Sequence, residues 1–370
     1  METPFVSQYH CNMGCEEIVK SPGQSHEFQG DKCRLLKAIA LLSGGLDSTL
    51  AAALVHRMGI EVIGLYVQTL FDTDKERVAH VSLAAEQIGI PLRTLDLSCE
   101  QLALVRHPKH GYGAGMNPCL DCRILMLKAA KRVMAEEGAQ FVVTGEVLGQ
   151  RPMSQHRHAL ELVAKESELD DRLLRPLSAN LLPDTLLVKE GWISREDLLG
   201  LSGRSRQNQI ALADRLGIHD YPQPAGGCLL LERVYAARLR DAFAHIGKDT
   251  MTREDFLLLR YGRHFRFSKQ AKVIVGRNGQ ENRILAGFAA NRIVIEPIEV
   301  VGPVTLVEGN PTRDEILLSA SLAARYCDRN GRETISMRVF RASKESVVEV
   351  APLAGGDPRL SEWRVGGVKQ

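Results

Sequence analysis

The chain has 370 residues, with 47 basic against 45 acidic side chains and a formal net charge of +2, so it can build two cored domains while its overall charge selects no partner. No apolar stretch approaches a membrane span, and the opening METPFVSQYH lacks the basic start and apolar core of a secretory signal. The expected compartment is the cytoplasm, where eight cysteines point to metal, redox or incidental thiols rather than a disulfide framework.

Residues 1–34 mix Pro, Gly, Ser and polar residues without periodicity and are expected to form a mobile tail. Cys11 and Cys15 beside His10 have no second pair at zinc-finger spacing, so they are expected to be surface thiols. Order begins at 36–42 (LKAIALL), an apolar run of buried-strand length, followed by helical apolar spacing over 47–58. The turn between them is Ser43-Gly44-Gly45-Leu46-Asp47-Ser48-Thr49. It opens a helix N-terminus, where free N–H groups and the helix dipole favour an anion. Gly44 and Gly45 allow close approach, and Ser43, Ser48 and Thr49 add hydroxyls.

Strands are expected at 61–67, 92–97, 140–144 and 173–177, with helices at 75–88 and 121–137 and a helix pair within 194–216. Alternating strands and helices imply an α/β, doubly wound parallel sheet covered on both faces. Ligands of such sheets bind beyond the carboxyl ends of the strands. Gly44, Gly45 and the turn Thr144-Gly145-Glu146 all fall at such ends. Residues 234–261 read as mostly helical and connecting, and 184–192 as an insertion. Beyond them, short β-rich runs at 272–275, 293–295, 304–307, 336–340 and 346–350, with one helix over 312–328, predict a smaller C-terminal α+β domain. The glycine-containing stretch from 353 is expected to be a tail.

Cys119 and Cys122 follow the glycine-rich stretch 111–115, expected to be flexible, and open a helix, a position that lowers a thiol pKa. Cys228, after Gly226-Gly227, supplies a third thiol. Three thiolates cannot close a four-cysteine structural zinc site, but they can hold a cluster with one iron left open.

These motifs carry a resemblance. The turn at 43–49 has no lysine of the Walker type and looks like the SGGxDS loop of the PP-loop ATP pyrophosphatases. That resemblance implies ATP and Mg2+ as cofactors, a pyrophosphate held by Ser43, Gly44, Gly45, Ser48 and Thr49, and Asp47 beside the phosphates and metal. Residues 144–150 (TGEVLGQ) with Ser154-Gln155 are similar to the TGE-x-LGQ segment of tRNA 4-thiouridine synthetases, extending the nucleotide site to Thr144, Gly145 and Gln150. Asn117-Pro118-Cys119-x-x-Cys122-Arg123 with Cys228 resembles the cysteine set of cluster-dependent tRNA thiolation enzymes. The implied catalytic residues are Asp47, Cys119 and Cys228. The metal set for a [4Fe-4S] cluster is Cys119, Cys122 and Cys228, and a persulfide on Cys119 or Cys228 is the alternative. The partners implied are tRNA and a sulfur donor, either a cysteine desulfurase or sulfide.

The familiar bacterial 4-thiouridine synthetases carry a THUMP-type RNA-binding region ahead of the PP-loop domain, which the short tail here does not match. From Arg260 onward, basic residues including Arg263, Arg266, Lys272 and Arg277 interleave with Tyr261, Phe265 and Phe267, a composition suited to phosphate contacts and base stacking. Residues 272–282 (KVIVGRNGQEN) and 302–306 (GPVTL) resemble the RNA-binding domain of the NFACT proteins. The expected organisation is a tail (1–34), a PP-loop domain (35–232), a helical connector (233–261), an NFACT-like RNA-binding domain (262–352) and a second tail (353–370). The leading expectation is an ATP-dependent tRNA sulfurtransferase of the 4-thiouridine type. A 2-thiouridine or ammonia-using PP-loop enzyme, or a nucleotide-dependent RNA-binding protein without turnover, are the competing readings.

Overall fold

The computed structural model describes residues 36–73, 76–222 and 227–367; the expected N-terminal tail, with Cys11, Cys15 and Cys33, and Gly226 lie outside them. The chain first lays down β1 (Lys37–Leu41), α1 (Leu46–Arg57), β2 (Glu61–Gln68), α2 (Arg77–Ile88), β3 (Leu92–Asp96), α3 (Ser98–Arg106), α4 (Cys119–Glu136) and β4 (Phe141–Val143). Next come α5 (Arg157–Glu166), β5 (Leu173–Leu174), α6 (Leu186–Lys189) and α7 (Gln207–Leu216). The five strands form a parallel sheet in the order β3-β2-β1-β4-β5.

Strand alternation explains the continuous apolar run of β1. Ala38 and Ala40 face a core shared with α1, α2 and α7, while Ile39 and Leu41 face a second core built on α4 and α5. Burying each large apolar side chain on these two faces contributes about 1.5–3 kcal/mol. Because strand order reverses beside β1, the carboxyl ends of β1 and β4 flank the crevice where such sheets take ligands.

The second half contains α8 (Arg233–His245), α9 (Arg253–Leu258), β6 (Arg263–Ser268), β7 (Ala271–Val275), α10 (Gly279–Gly287), β8 (Ile293–Pro297) and β9 (Thr305–Gly309). It ends with α11 (Arg313–Ala324), β10 (Ile335–Arg341), β11 (Lys344–Val350) and α12 (Arg359–Trp363). Its six strands form an antiparallel sheet, β11-β10-β8-β9-β7-β6. Along β7, Val273 and Val275 enter the core beneath α11, and Ile274 enters the one that includes Leu285 of α10.

The expected helical connector packs against the first sheet's domain. Tyr235, Leu239 and Phe256 from α8 and α9 bury against Phe71, Leu102 and Met116. Arg260 donates Nη2 to the carbonyls of Leu70 (2.8 Å) and Asp72 (3.0 Å) just beyond β2.

Sequence patterning missed several elements. Helix α3 is only nine residues long and α5 begins among histidines; His156 accepts from the Ala159 amide as its N-cap. Basic residues alternating through β6 masked that strand, and α10 is a short helix capped by Asn278. The expected tail after 352 also needs correction. Trp363 packs on Phe267 with ring centres 4.5 Å apart, and the Val365 amide donates to the His264 carbonyl at 2.9 Å, so this segment docks on β6.

Candidate active site

The turn at 43–49 folds tightly upon itself. Ser48 Oγ donates to the Gly45 carbonyl (2.8 Å) and accepts from the Ser43 amide (3.2 Å), while Thr49 Oγ1 donates to the Gly45 carbonyl (3.1 Å). These bonds fix the two hydroxyls within the turn. Gly44 is required twice over, because its φ of 71° is left-handed and a Cβ there would lie 2.9 Å from the Val81 amide nitrogen.

The turn after β4 meets this loop directly. A Cβ on Gly145 would lie 2.5 Å from the Asp47 carbonyl and the Ser48 amide, so only glycine permits the approach. Thr144, buried at 1 % exposure, donates to Glu146 Oε2 at 3.1 Å. Glu146 is itself buried between Arg175 (2.9 Å) and Arg123 (3.2 Å). Burial alone would raise its pKa, but the two guanidiniums outweigh it and hold the carboxyl below its ordinary value.

Asp47 accepts at Oδ2 from Gln150 Nε2 and from Arg206 Nη2, each at 2.8 Å. Its other oxygen, Oδ1, is buried with no hydrogen-bond partner, the kind of orphaned carboxylate oxygen that fits a divalent cation. Arg151 lies within electrostatic reach of Asp47, Arg206, Arg123 and Cys119. The crevice therefore brings cationic groups around one carboxylate, a setting suited to polyphosphate. Sequence reading missed Arg206 and Arg151. Neither has a local motif, and Arg206 reaches Asp47 from a helix entrance that no spacing rule links to it.

The cysteines come together from two elements. Cys119 is the first residue of α4, and its Sγ accepts from Asn117 Nδ2 at 3.1 Å. Cys122 lies one turn on, its Sγ 3.6 Å from Gln101 Nε2. Cys228 arrives on a separate strand-like segment bridged to Asp72, with the Leu229 amide donating to the Phe71 carbonyl at 2.8 Å. Both Cys119 and Cys122 are within electrostatic reach of Cys228. The glycine-rich stretch before Cys119 is pinned, not flexible: the Met116 amide donates to the Leu230 carbonyl at 2.8 Å, and a Cβ on Gly115 would collide with that oxygen.

Burial raises the Cys122 thiol above its ordinary pKa and pushes Cys228 up to about 12. The thiolate expected from the helix N-terminus is thus opposed at Cys122 by desolvation. Among the described residues no three His, Cys, Asp or Glu side chains converge on a single-ion site. The donor chemistry, three free thiols within electrostatic reach of one another, is that of a soft multinuclear cluster, whose positive charge would keep such thiols ionised.

Arg77 joins the two halves of the site. It donates Nη1 to the Ser43 carbonyl and Nε to Asp72 Oδ2, both at 3.0 Å, tying the turn at 43–49 to the segment that pairs with Cys228.

The expected RNA contacts divide. Lys272 is 1 % exposed, with its ammonium 3.3 Å from Asp241, so burial removes it from any solvent ligand. Arg266 is likewise engaged, by a two-pronged pair with Asp241 at 2.9 and 2.8 Å. Arg277, half-exposed, pairs with Glu281, while Arg263 lies over the Tyr326 ring.

Fold and site together describe a parallel α/β domain with a glycine-rich turn at the carboxyl end of β1 and three free thiols near it, followed by a β-rich domain. Residues 35–180 match the family described as Thiamine biosynthesis protein (ThiI), and residues 262–364 match the NFACT protein RNA binding domain. Over 142 residues the chain is 31 % identical to a probable tRNA sulfurtransferase of Thermococcus kodakarensis, covering 38 % of this chain and 36 % of that protein. Over 203 residues it is 28 % identical to the tRNA-specific 2-thiouridylase MnmA of a Nostoc species, covering 52 % of this chain and 55 % of that one. The chain thus spans from about a third to about half of the length of these relatives. Among solved structures, a 4-thiouridine synthetase in complex with RNA and bound ATP is similar over 49 % of this chain and 41 % of its own, with 22 % identity and a TM-score of 0.35. Among the described residues, no helix is long and apolar enough to cross a membrane.

Proposed function

We propose that the protein is an ATP-dependent tRNA sulfurtransferase that adenylates a uridine carbonyl and replaces its oxygen with sulfur, most simply as 4-thiouridine. The observation that carries this reading is the contact of Gly145 with Asp47 and Ser48, which joins the anion-binding turn to the turn after β4. Cys119, in electrostatic reach of the same Arg151 that senses Asp47, adds the sulfur chemistry.

The uridine carbonyl oxygen attacks the α-phosphate of ATP, and pyrophosphate departs into the turn formed by Ser43, Gly44, Gly45, Ser48 and Thr49. Amides at the start of α1 and the guanidiniums of Arg151 and Arg206 balance its growing charge. Asp47 Oδ1 would hold Mg2+, which when bound neutralises phosphate charge, and Thr144, Gly145 and Gln150 line the nucleotide. Adenylation converts a poor leaving oxygen into AMP, which a sulfur nucleophile then displaces.

Cys119, Cys122 and Cys228 would hold a cluster, which would supply Lewis-acid activation of sulfide. In the persulfide form of the reaction, Cys119 or Cys228 carries the transferable sulfur and the other thiol closes a disulfide as it leaves. Sulfide is the source in the cluster form, whereas the persulfide form takes its sulfur from a desulfurase already at the persulfide level and needs an external thiol to reopen the disulfide.

We further propose a PP-loop domain over 35–232, a packed connector over 233–261 and an RNA-binding domain from 262, acting in the cytoplasm. The 2-thiouridine reading has its support in the longer match to the Nostoc relative. Nucleoside analysis of tRNA from a deletion strain decides between them. Loss of 4-thiouridine is the expected result, and loss of a 2-thiouridine species would replace it. Pyrophosphate release that requires tRNA is expected as well; release driven by ammonia, or none with bound RNA, would favour the ligase or the non-catalytic reading.

A further inference from the structure

On the α11 side of the antiparallel sheet, three arginines gather around one tyrosine, with a fourth beside them. The guanidinium of Arg263, at the start of β6, lies 4.6 Å from the Tyr326 ring centre, and that of Arg325 lies 5.7 Å from it. Arg364, brought in by the docked C-terminal segment, lies 5.0 Å over the ring of Phe265 and within electrostatic reach of Tyr326, Arg263 and Arg277. Arg277 is paired with Glu281. Among the described residues, no carboxylate lies within ion-pair distance of Arg263, Arg325 or Arg364; their partners are carbonyls, rings and, for Arg364, the Tyr326 side chain.

Holding like charges this close is unfavourable unless an anion sits among them. Guanidinium planes beside an aromatic ring suit the alternating phosphates and bases of RNA better than the isolated carboxylates of an acidic peptide. The patch also lies within the residues that match the NFACT RNA binding domain.

We infer that Arg263, Arg325 and Arg364 around Tyr326, flanked by Arg277, form the surface on which this protein holds an RNA backbone segment. The inference rests on the tRNA sulfurtransferase reading and gives that substrate its binding surface. The patch is connected to the chemistry by α8: Arg238 is within electrostatic reach of Arg277 and Arg364, and Tyr235 within reach of Cys228. The two lie one helical turn apart, a rise of about 5 Å.

The test measures tRNA affinity of the full chain across a salt series. Arg263→Gln/Arg364→Gln should weaken binding roughly tenfold or more and flatten the salt dependence by about two in slope. Arg332→Gln, an exposed arginine of the same domain paired with Glu299, should leave both unchanged. Arg263→Lys/Arg364→Lys keeps the charge and should restore most of the slope, which separates charge from folding. A double glutamine variant that binds tRNA like the wild type, while the wild type makes thionucleoside, overturns the patch alone. Wild type that binds no tRNA overturns the patch and the sulfurtransferase reading together.

Discussion

The two sheets use charge in opposite ways. In the parallel domain, groups far apart in sequence meet at an open crevice: Asp47 takes Gln150 from 103 residues away and Arg206 from 159. In the C-terminal sheet, basic residues close in sequence are driven apart. Arg266 and Lys272 are register partners on β6 and β7 and share Asp241 of α8, whereas Arg263, three residues earlier, faces Tyr326. A loop can aim its side chains at one point, but a strand sends alternate residues to opposite faces. Charge density along a strand therefore overstates the charge a ligand meets.

The largest effect should come from Asp47. Asp47→Ala removes the orphaned Oδ1 and frees Arg206, so AMP formation should fall by roughly 10²-fold or more, as for the loss of a group that stabilises developing charge. Thermal unfolding should change little, since Asp47 is a partly exposed crevice residue. Normal AMP formation would break the assigned role of the turn.

Next come the thiols. Protein purified without oxygen should contain about four irons per chain and lose most of them when Cys119, Cys122 or Cys228 is changed to alanine. Adenylation should persist in each variant while thiolation stops. Iron-free, colourless protein with full thiolation would exclude the cluster, and an indifferent Cys122→Ala would then favour a persulfide.

Much of this comparison was legible in the sequence on one side and illegible on the other. The turn at 43–49, the segment 144–150 and Cys119 with Cys122 are local patterns, and local patterns survive folding because a strand, a turn and a helix start are set by neighbours. Arg77 and Arg206 carry no such pattern; their roles depend on which helix entrances the sheet order brings to the crevice, while Arg151 follows the 144–150 segment without being part of its pattern. Arg325, Tyr326 and Arg364 were hidden differently. They come from the end of a helix and from a segment read as a tail, and only the antiparallel sheet places them beside Arg263.

An intermediate effect belongs to Glu146. Glu146→Gln leaves Arg175, 7 % exposed, without a charged partner, and breaking such a buried pair costs about 3–5 kcal/mol. Because the folded carboxyl titrates below its ordinary 4.5, its stabilising contribution is complete above that value and is lost as pH falls through the lower folded pKa. Urea unfolding should show the gap between wild type and variant closing in acid; a constant gap would assign the loss to packing instead.

The smallest effect on RNA is expected from Lys272. Its ammonium faces Asp241 from inside the sheet, and Arg266 continues to satisfy that carboxylate with two hydrogen bonds when the lysine is gone. Removing one partner of a buried pair is costly where it strands the other charge, and here Asp241 keeps Arg266, so the variant is expected to fold. Lys272→Met should accordingly bind tRNA within about twofold of wild type and with an unchanged salt slope, since a residue that touches no phosphate releases no counterion. If its loss weakened tRNA binding as much as the loss of Arg263, burial would be a poor guide to which cations this domain offers to RNA, and the contrast between the two faces of β6 would fail.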